Sequence, residues 1–327
     1  MVAAGMIYQA WGAARDRRKY PLPGRMARVG AHRLHYRCDG SGSPVVLMDA
    51  GIAASSLSWS RVQPVVAQFT RVCTYDRAGL AWSESARSRR TMPGLVQELR
   101  ALLEGAALTP PYVLVGHSFG GTVIRAFARA YPEKVTGLVF VDTLHPEEWC
   151  EPSPHQRHLL RGGVFLSRVG ETLAQIGVVR LSLSLLAGGA PGAPRQFSRV
   201  FGPTAAALLE NIVGEVQKLP AEVLPAVQAH WSRPRAFRGM RQQLAELARC
   251  CAYLTQGTDN FGDLPVVVLS GKRDPRWLAA DAALARASSQ GRHVVSAHSG
   301  HWVHLDDPDL VVRAIRDVVE RARDRRE

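Results

Sequence analysis

A serine flanked by glycines is the strongest chemical signal, in residues 113–121, which read Val-Leu-Val-Gly-His-Ser-Phe-Gly-Gly. The spacing Gly116-x-Ser118-x-Gly120 lies between an apolar strand pattern and a helical one, the context of a nucleophile elbow. Such a serine occupies a strained turn, and side chains two residues away would collide with the turn or its neighbours. We predict Ser118 as a nucleophile supported by Gly116 and Gly120. The alternative is a purely structural glycine-rich turn.

A serine nucleophile needs a general base. After a nucleophile elbow the chain order is serine, acid, histidine, so we expect the base to follow the last strand pattern. Three histidines crowd that loop: His298, His301 and His304. We predict His301, because Gly300 before it allows a tight approach and the final helix follows. His304 falls in the first helical turn and is expected to pack or hydrogen-bond.

The acid that orients the histidine is predicted to be Asp274, which follows the apolar run at residues 265–270. The carboxyl ends of strands are where such sheets gather their chemistry. Asp142 is the rival, because it also ends a strand. Asp76 is interpreted as structural, capping turn amides or pairing with Arg77.

Backbone donors for an oxyanion should lie beside the serine. One is the N–H of Phe119, the residue after the nucleophile. The other is expected from the loop after the strand at residues 45–49, where Gly51 permits an unusual backbone and Ile52 offers its N–H. One such donor is typically worth ~10²–10³ in rate.

Short β-branched runs alternate with helical patterns, which indicates an α/β fold with a parallel sheet covered by helices. The alternation stops after about residue 146 and resumes near 265, so we predict a helical insertion. The predicted divisions are a basic extension (1–24), a core (25–145 and 251–327) and the insertion (146–250), broken by a Gly/Pro cluster at 188–194. The candidate strands cover residues 26–29, 33–38, 45–49, 71–75, 112–116, 137–142, 265–270 and 293–297.

Taken in order, these motifs resemble the α/β-hydrolase superfamily, in particular its serine esterase-like group with proline iminopeptidases, cofactor-free haloperoxidases and C–C bond hydrolases. The resemblance covers roughly residues 25–320. It implies an α/β-hydrolase fold with a mostly parallel eight-stranded sheet, a helical cap, and a triad of Ser118, Asp274 and His301. One departure is Ala50-Gly51 in place of the usual His-Gly of the oxyanion loop.

The function expected from this resemblance is cleavage of small-molecule carboxylic esters through an acyl-enzyme. Serine at position 118 disfavours haloalkane dehalogenases and epoxide hydrolases, which use a carboxylate nucleophile. The alternatives are a peptidase, a C–C bond hydrolase or a perhydrolase on the same fold, or a non-catalytic binding module. Apolar runs of the insertion at residues 159–160, 164–166 and 181–186 would line an acyl pocket or pack its helices together.

Composition limits the partners. The hydrophobic content of 46% is that of a globular protein, and the net charge of +13 is dispersed without interleaved aromatics, so no nucleic acid partner is expected. Five cysteines give neither a disulfide scaffold nor metal spacing, and Cys73 is interpreted as a buried small hydrophobe. No metal or other cofactor is expected.

No apolar run reaches membrane-spanning length, so a cytoplasmic location is expected. The alternative is a membrane-peripheral protein whose residues 1–8 are the end of a truncated anchor. The oligomeric state is left open.

Overall fold

The computed structural model describes residues 1–187 and 214–325. The Gly/Pro cluster predicted at residues 188–194 lies outside them. An eight-stranded sheet forms the centre, as predicted, in the order β1-β2-β4-β3-β5-β6-β7-β8. Strands β1 and β2 pair antiparallel, β2 pairs antiparallel with β4, and the remaining pairs are parallel. The strands are β1 Arg25–Val29, β2 His32–Asp39, β3 Val45–Asp49, β4 Val72–Tyr75, β5 Tyr112–His117, β6 Val135–Val141, β7 Val266–Ser270 and β8 Gly291–Val295.

Helices cover both faces of the sheet. Along β5, Leu114 packs into one apolar layer while Val113 and Val115 pack into the other, because successive strand residues point to opposite faces. The helices of the described residues are α1 Val2–Lys19, α2 Gln63–Val66, α3 Met92–Gly105, α4 Phe119–Ala130, α5 Pro146–Trp149, α6 Pro154–Gln175, α7 Val178–Ala187, α8 Leu224–Trp231, α9 Pro234–Thr255, α10 Pro275–Ala285, α11 Val303–Asp306 and α12 Pro308–Asp324.

Helices α5 to α9 follow β6 and precede β7, where the alternation of strand and helix patterns stops. The long helices α6 and α9 pack against each other, and α9 also reaches α3 and α4 of the core. A small apolar cluster joins Leu160 and Val164 of α6 to Ile52 and Ala53 in the loop after β3. The helical insertion therefore packs directly over that loop.

Cys38 and Cys73 are directly opposed on β2 and β4 and form a disulfide, with Cα atoms 4.1 Å apart. Cys73 is buried, as expected of a small hydrophobe, but its sulfur is bonded to Cys38, which the sequence interpretation did not include. Strand register, which no local spacing encodes, brings the two sulfurs together.

Among the helices of residues 1–187 and 214–325, none combines the length and the apolarity needed to cross a membrane.

Candidate active site

Ser118 occupies the sharp turn between β5 and α4. Its backbone is left-handed, with φ +52°, a conformation that costs free energy for a residue with a Cβ. The turn is held against the end of β6, because the Ser118 N–H donates to the Val141 carbonyl (3.1 Å) and the Ser118 carbonyl accepts from the Leu144 amide (3.2 Å). The candidate nucleophile thus lies beside the residues that follow β6.

Two glycines make room for this turn. A Cβ added to Gly116 would lie 2.6 Å from the backbone of Gly120. A Cβ added to Gly120 would lie 2.3 Å from the Asp49 carbonyl oxygen at the end of β3. Side chains at these positions would push the turn away from itself and from the neighbouring strand.

His301 is paired with Asp142. Its Nδ1 lies 2.6 Å from Oδ2 of that carboxylate, whose Oδ1 accepts from the Gly271 amide at 2.8 Å. Burial raises the pKa of Asp142, but the hydrogen bond and charge of His301 outweigh this effect and hold the pKa below its usual value. Asp142 therefore stands as a carboxylate that can fix the tautomer and orientation of the imidazole.

The prediction of Asp274 as the acid is corrected by this geometry. Asp274 is exposed and caps helix α10, where its side chain accepts from the Arg276 amide at 2.8 Å. Asp142, the partner of His301, directly follows β6, which neighbours β5, whereas Asp274 follows β7, one strand further away. The sequence did contain a signal, since aspartate before a proline is a common helix start.

The imidazole of His301 is partly open to solvent, with 43% of its side chain exposed. His117 holds the loop that carries His301, because its Nε2 donates to the His301 carbonyl (2.9 Å). His304 is fully buried between the rings of His117 and Trp59, as expected of a packing residue, and burial lowers its pKa to about 3. His298 is exposed.

The prediction that Gly300 allows a tight approach of the chain is wrong. Open space surrounds it, and the position that must remain small is Gly271, where an added Cβ would lie 1.9 Å from the Gly300 carbonyl oxygen.

The predicted oxyanion loop lies against the nucleophile turn. A Cβ added to Gly51 would lie 3.5 Å from Cβ of Ser118. The left-handed residue of this loop is Ala53 (φ +62°) and not Gly51, so Gly51 serves close approach instead of an unusual backbone. Among the described residues, neither the Ile52 nor the Phe119 amide has a hydrogen-bond acceptor.

A family model described as the alpha/beta hydrolase fold matches residues 44–308. The chain belongs to the α/β-hydrolase family. An AB hydrolase superfamily protein of Gibberella zeae is 26% identical over 300 residues, covering 86% of this chain and 87% of that protein. The uncharacterized protein Rv2715 of Mycobacterium tuberculosis is 27% identical over 307 residues, covering 90% of this chain and 80% of the relative. A probable transporter, efuK of Hormonema carpetanum, is 33% identical over 153 residues, but the match covers only 22% of its length and 40% of this chain.

Solved structures share the fold of this α/β hydrolase. A thermophilic esterase from Thermogutta terrifontis has a TM-score of 0.62 at 22% identity, covering 91% of this chain and 98% of the esterase. The enol-lactonase from Burkholderia xenovorans has a TM-score of 0.60 at 18% identity, with coverages of 90% and 100%. The epoxide hydrolase CorEH has a TM-score of 0.65 at 21% identity, with coverages of 90% and 97%. With the family match, these likenesses support a hydrolase.

Arg77 anchors the predicted oxyanion loop after β3, a contact that no local motif indicates. Its buried guanidinium donates to the Asp49 carboxylate, to the Ala50 carbonyl (2.7 Å) and to the Gly51 carbonyl. Gln243 of the insertion accepts from Arg77 (3.4 Å) and from the Ala53 amide (3.3 Å). The Gly51 carbonyl and the Ile52 N–H belong to the same planar peptide unit, so the contact of Arg77 with this carbonyl also fixes the direction of the N–H. The loop that carries Ala50-Gly51 is thus anchored by Arg77 through its backbone carbonyls.

Asp76 is structural, as expected, although its partner is not Arg77. It accepts from the Ser56 amide (2.7 Å) and the Trp82 amide (3.3 Å), and it pairs with His35 Nδ1 at 2.7 Å. Burial raises the pKa of Asp76, but the charge and hydrogen bond of His35, together with the Ser56 amide, outweigh this effect and hold the pKa below its usual value.

Glu215, which precedes α8, is a second residue that sequence reasoning missed. Burial raises its pKa to about 7, although the Arg77 charge opposes this shift. This buried carboxyl group thus comes from the insertion and interacts electrostatically with Arg77. Within residues 1–187 and 214–325, no cluster of His, Cys, Asp or Glu is arranged to hold a metal ion.

Proposed function

We propose that this hydrolase cleaves carboxylic esters through an acyl-enzyme on Ser118, with His301 as the general base and Asp142 as the acid. The observation that carries the proposal is the Asp142–His301 hydrogen bond at the carboxyl edge of the sheet, beside a strained serine turn. The three strands β3, β5 and β6 are neighbours, so the oxyanion loop, the nucleophile and the acid are adjacent.

In the first half-reaction, the Ser118 oxygen adds to the ester carbonyl carbon as its proton passes to Nε2 of His301. Asp142 stabilises the imidazolium, and the Ile52 and Phe119 amides donate to the oxyanion. Collapse of this intermediate expels the alcohol, which takes the proton from Nε2. Water then repeats the sequence on the acyl-enzyme, releasing the carboxylic acid and restoring the Ser118 hydroxyl.

An apolar acyl group suits the surroundings of the oxyanion loop. Leu160 and Val164 of the insertion pack beside Ile52, and Trp231 and Phe237 complete this cluster. This packing over the loop after β3 supports the interpretation of the insertion as a cap. We expect ester chains of medium length to be preferred over acetate, because apolar burial stabilises binding by ~0.8 kcal/mol for each buried CH₂.

The test is turnover of p-nitrophenyl esters from acetate to decanoate, together with labelling by a fluorophosphonate probe. Ser118→Ala should abolish both signals, and peptide mass spectrometry should place the label on Ser118. Ser288→Ala is the matched control, because Ser288 is also buried but bonds to the Leu264 carbonyl outside this site. Undiminished turnover in the Ser118 variant would remove the nucleophile assignment.

Aminoacyl-naphthylamides separate the ester proposal from a peptidase. Ester turnover should exceed amide turnover by orders of magnitude. A preference for the amides would instead favour the peptidase alternative, with the same nucleophile.

A further inference from the structure

Helix α1 turns its polar side toward the protein. Gln9 donates from Nε2 to the Ser232 carbonyl (3.0 Å), and Asp16 accepts from Arg180 Nη1 (2.6 Å). Gly12 lies between them, where an added Cβ would come within 2.6 Å of the Arg180 side chain. Positions 9, 12 and 16 share one helix face because they are spaced by three and four residues. The packed face is therefore polar and small.

The opposite face of α1 is apolar and exposed. On that face Ile7 and Trp11 are 70% and 60% exposed. Val2 and Met6, nearer the start of the helix and outside that face, are 62% and 54% exposed, and residues 1–14 contain no charged side chain. A surface helix in water normally has the reverse arrangement, because exposing apolar area is unfavourable. This inversion indicates that an apolar surface covers α1.

Four exposed cationic side chains follow the apolar turns, and we call them the basic collar: Arg15, Arg17, Arg18 and Lys19. The Arg15 guanidinium lies over the Trp11 ring, 5.7 Å from its centroid. Apolar and aromatic side chains followed by a cluster of lysine and arginine are typical of segments that bind the surface of anionic membranes.

Charge selects the occupant. A second copy of this chain would bring two collars and two net charges of +13 together, which opposes pairing through α1. An anionic bilayer offers both an apolar interior and negative headgroups. We propose that α1 docks the protein on an anionic lipid bilayer, with Val2 to Trp11 in the interface and the basic collar at the phosphates.

The neighbouring helix α7 also has exposed apolar side chains. It begins after Gly177, where an added Cβ would lie 2.8 Å from the Gly5 carbonyl oxygen of α1, and it exposes Leu181 and Leu185. Docking through α1 therefore brings the insertion to the bilayer as well. The proposal depends on helix geometry and charge, and not on the proposed ester chemistry.

Co-sedimentation of the full chain with vesicles tests it. Vesicles of phosphatidylcholine with phosphatidylglycerol in equal amounts should bind the protein, and pure phosphatidylcholine should bind it far more weakly. The variant Ile7→Ser/Trp11→Ser should bind roughly a hundred-fold more weakly. Arg17→Gln/Arg18→Gln should bind roughly 25-fold more weakly, because each basic residue near an anionic surface strengthens binding about five-fold.

Tyr253→Ser is the matched control, because Tyr253 is an exposed aromatic residue on α9, and its binding should equal that of the wild type. Circular dichroism confirms that each variant is folded, without reference to turnover. Failure of the wild type to bind anionic vesicles would overturn the proposal, as would equal binding by folded α1 variants. A dimer that Ile7→Ser/Trp11→Ser dissociates, in the absence of vesicle binding, would assign this face to a second copy instead.

Discussion

Replacing the carboxylate that faces His301 gives the sharpest test of the site. Asp142→Asn keeps the size of a side chain that is only 5% exposed, and its amide oxygen can still accept from the Gly271 amide. It removes the negative charge 2.6 Å from His301 Nδ1 and allows the wrong imidazole tautomer. From triads of this kind we expect kcat to fall by ~10³–10⁴, which corresponds to about 4–5.5 kcal/mol of transition-state stabilisation.

The assay is kcat and KM for a p-nitrophenyl ester between pH 5 and 9, with Asp274→Asn measured in parallel. Asp274 is exposed and contacts the Arg276 amide, and asparagine caps helices about as well as aspartate, so this variant should stay within about two-fold of wild type. The reverse outcome, with activity lost in Asp274→Asn and kept in a folded Asp142→Asn, would refute the assignment of the acid.

Arg77→Lys keeps the positive charge beside Asp49, but a single ammonium group cannot donate to both loop carbonyls. We therefore expect kcat to fall by up to ~10² with little change in KM. A rise in KM of the same size would indicate a role in substrate binding instead. His304→Phe should reduce the loss of stability at low pH. The pKa of His304 is about 3 in the folded state and 6.5 in the unfolded state, so the wild type loses up to about 5 kcal/mol of the free energy of unfolding as the pH falls from 6.5 toward 3. An unchanged pH dependence of the free energy of unfolding in urea melts would contradict this. Reducing the Cys38–Cys73 disulfide, which closes a loop of 35 residues, should lower the free energy of unfolding by about 3–4 kcal/mol; a melt of Cys38→Ser/Cys73→Ser that responds to reductant would point to another thiol.

The elements of this fold could be predicted because their signals are local. The apolar run of β5 and the glycine spacing around Ser118 lie within ten residues, and steric contacts inside the turn account for Gly116. The choice of acid could not be made locally. Both Asp142 and Asp274 follow apolar strands, and only strand order places one of them beside β5.

Long-range pairing also explains the other differences. Arg77 contacts Asp49, which is 28 residues earlier, and Gln243, which is 166 residues later, so no motif connects them. The disulfide depends on the register between β2 and β4. The outward apolar face of α1 could not be read from hydropathy alone, because packing decides which side of a helix meets the protein.

The insertion between β6 and β7 divides the chain into two parts, which contribute different residues to the proposed site. Everything proposed to touch the carbonyl carbon or its oxygen, together with the acid, precedes residue 146, and the imidazole alone comes from the segment after β7. The covering helices connect these parts without contributing to the proton relay. Exchange of the covering helices would therefore change the molecules admitted and leave the proposed proton relay in place, as long as the contacts of Gln243 with Arg77 and the Ala53 amide are kept.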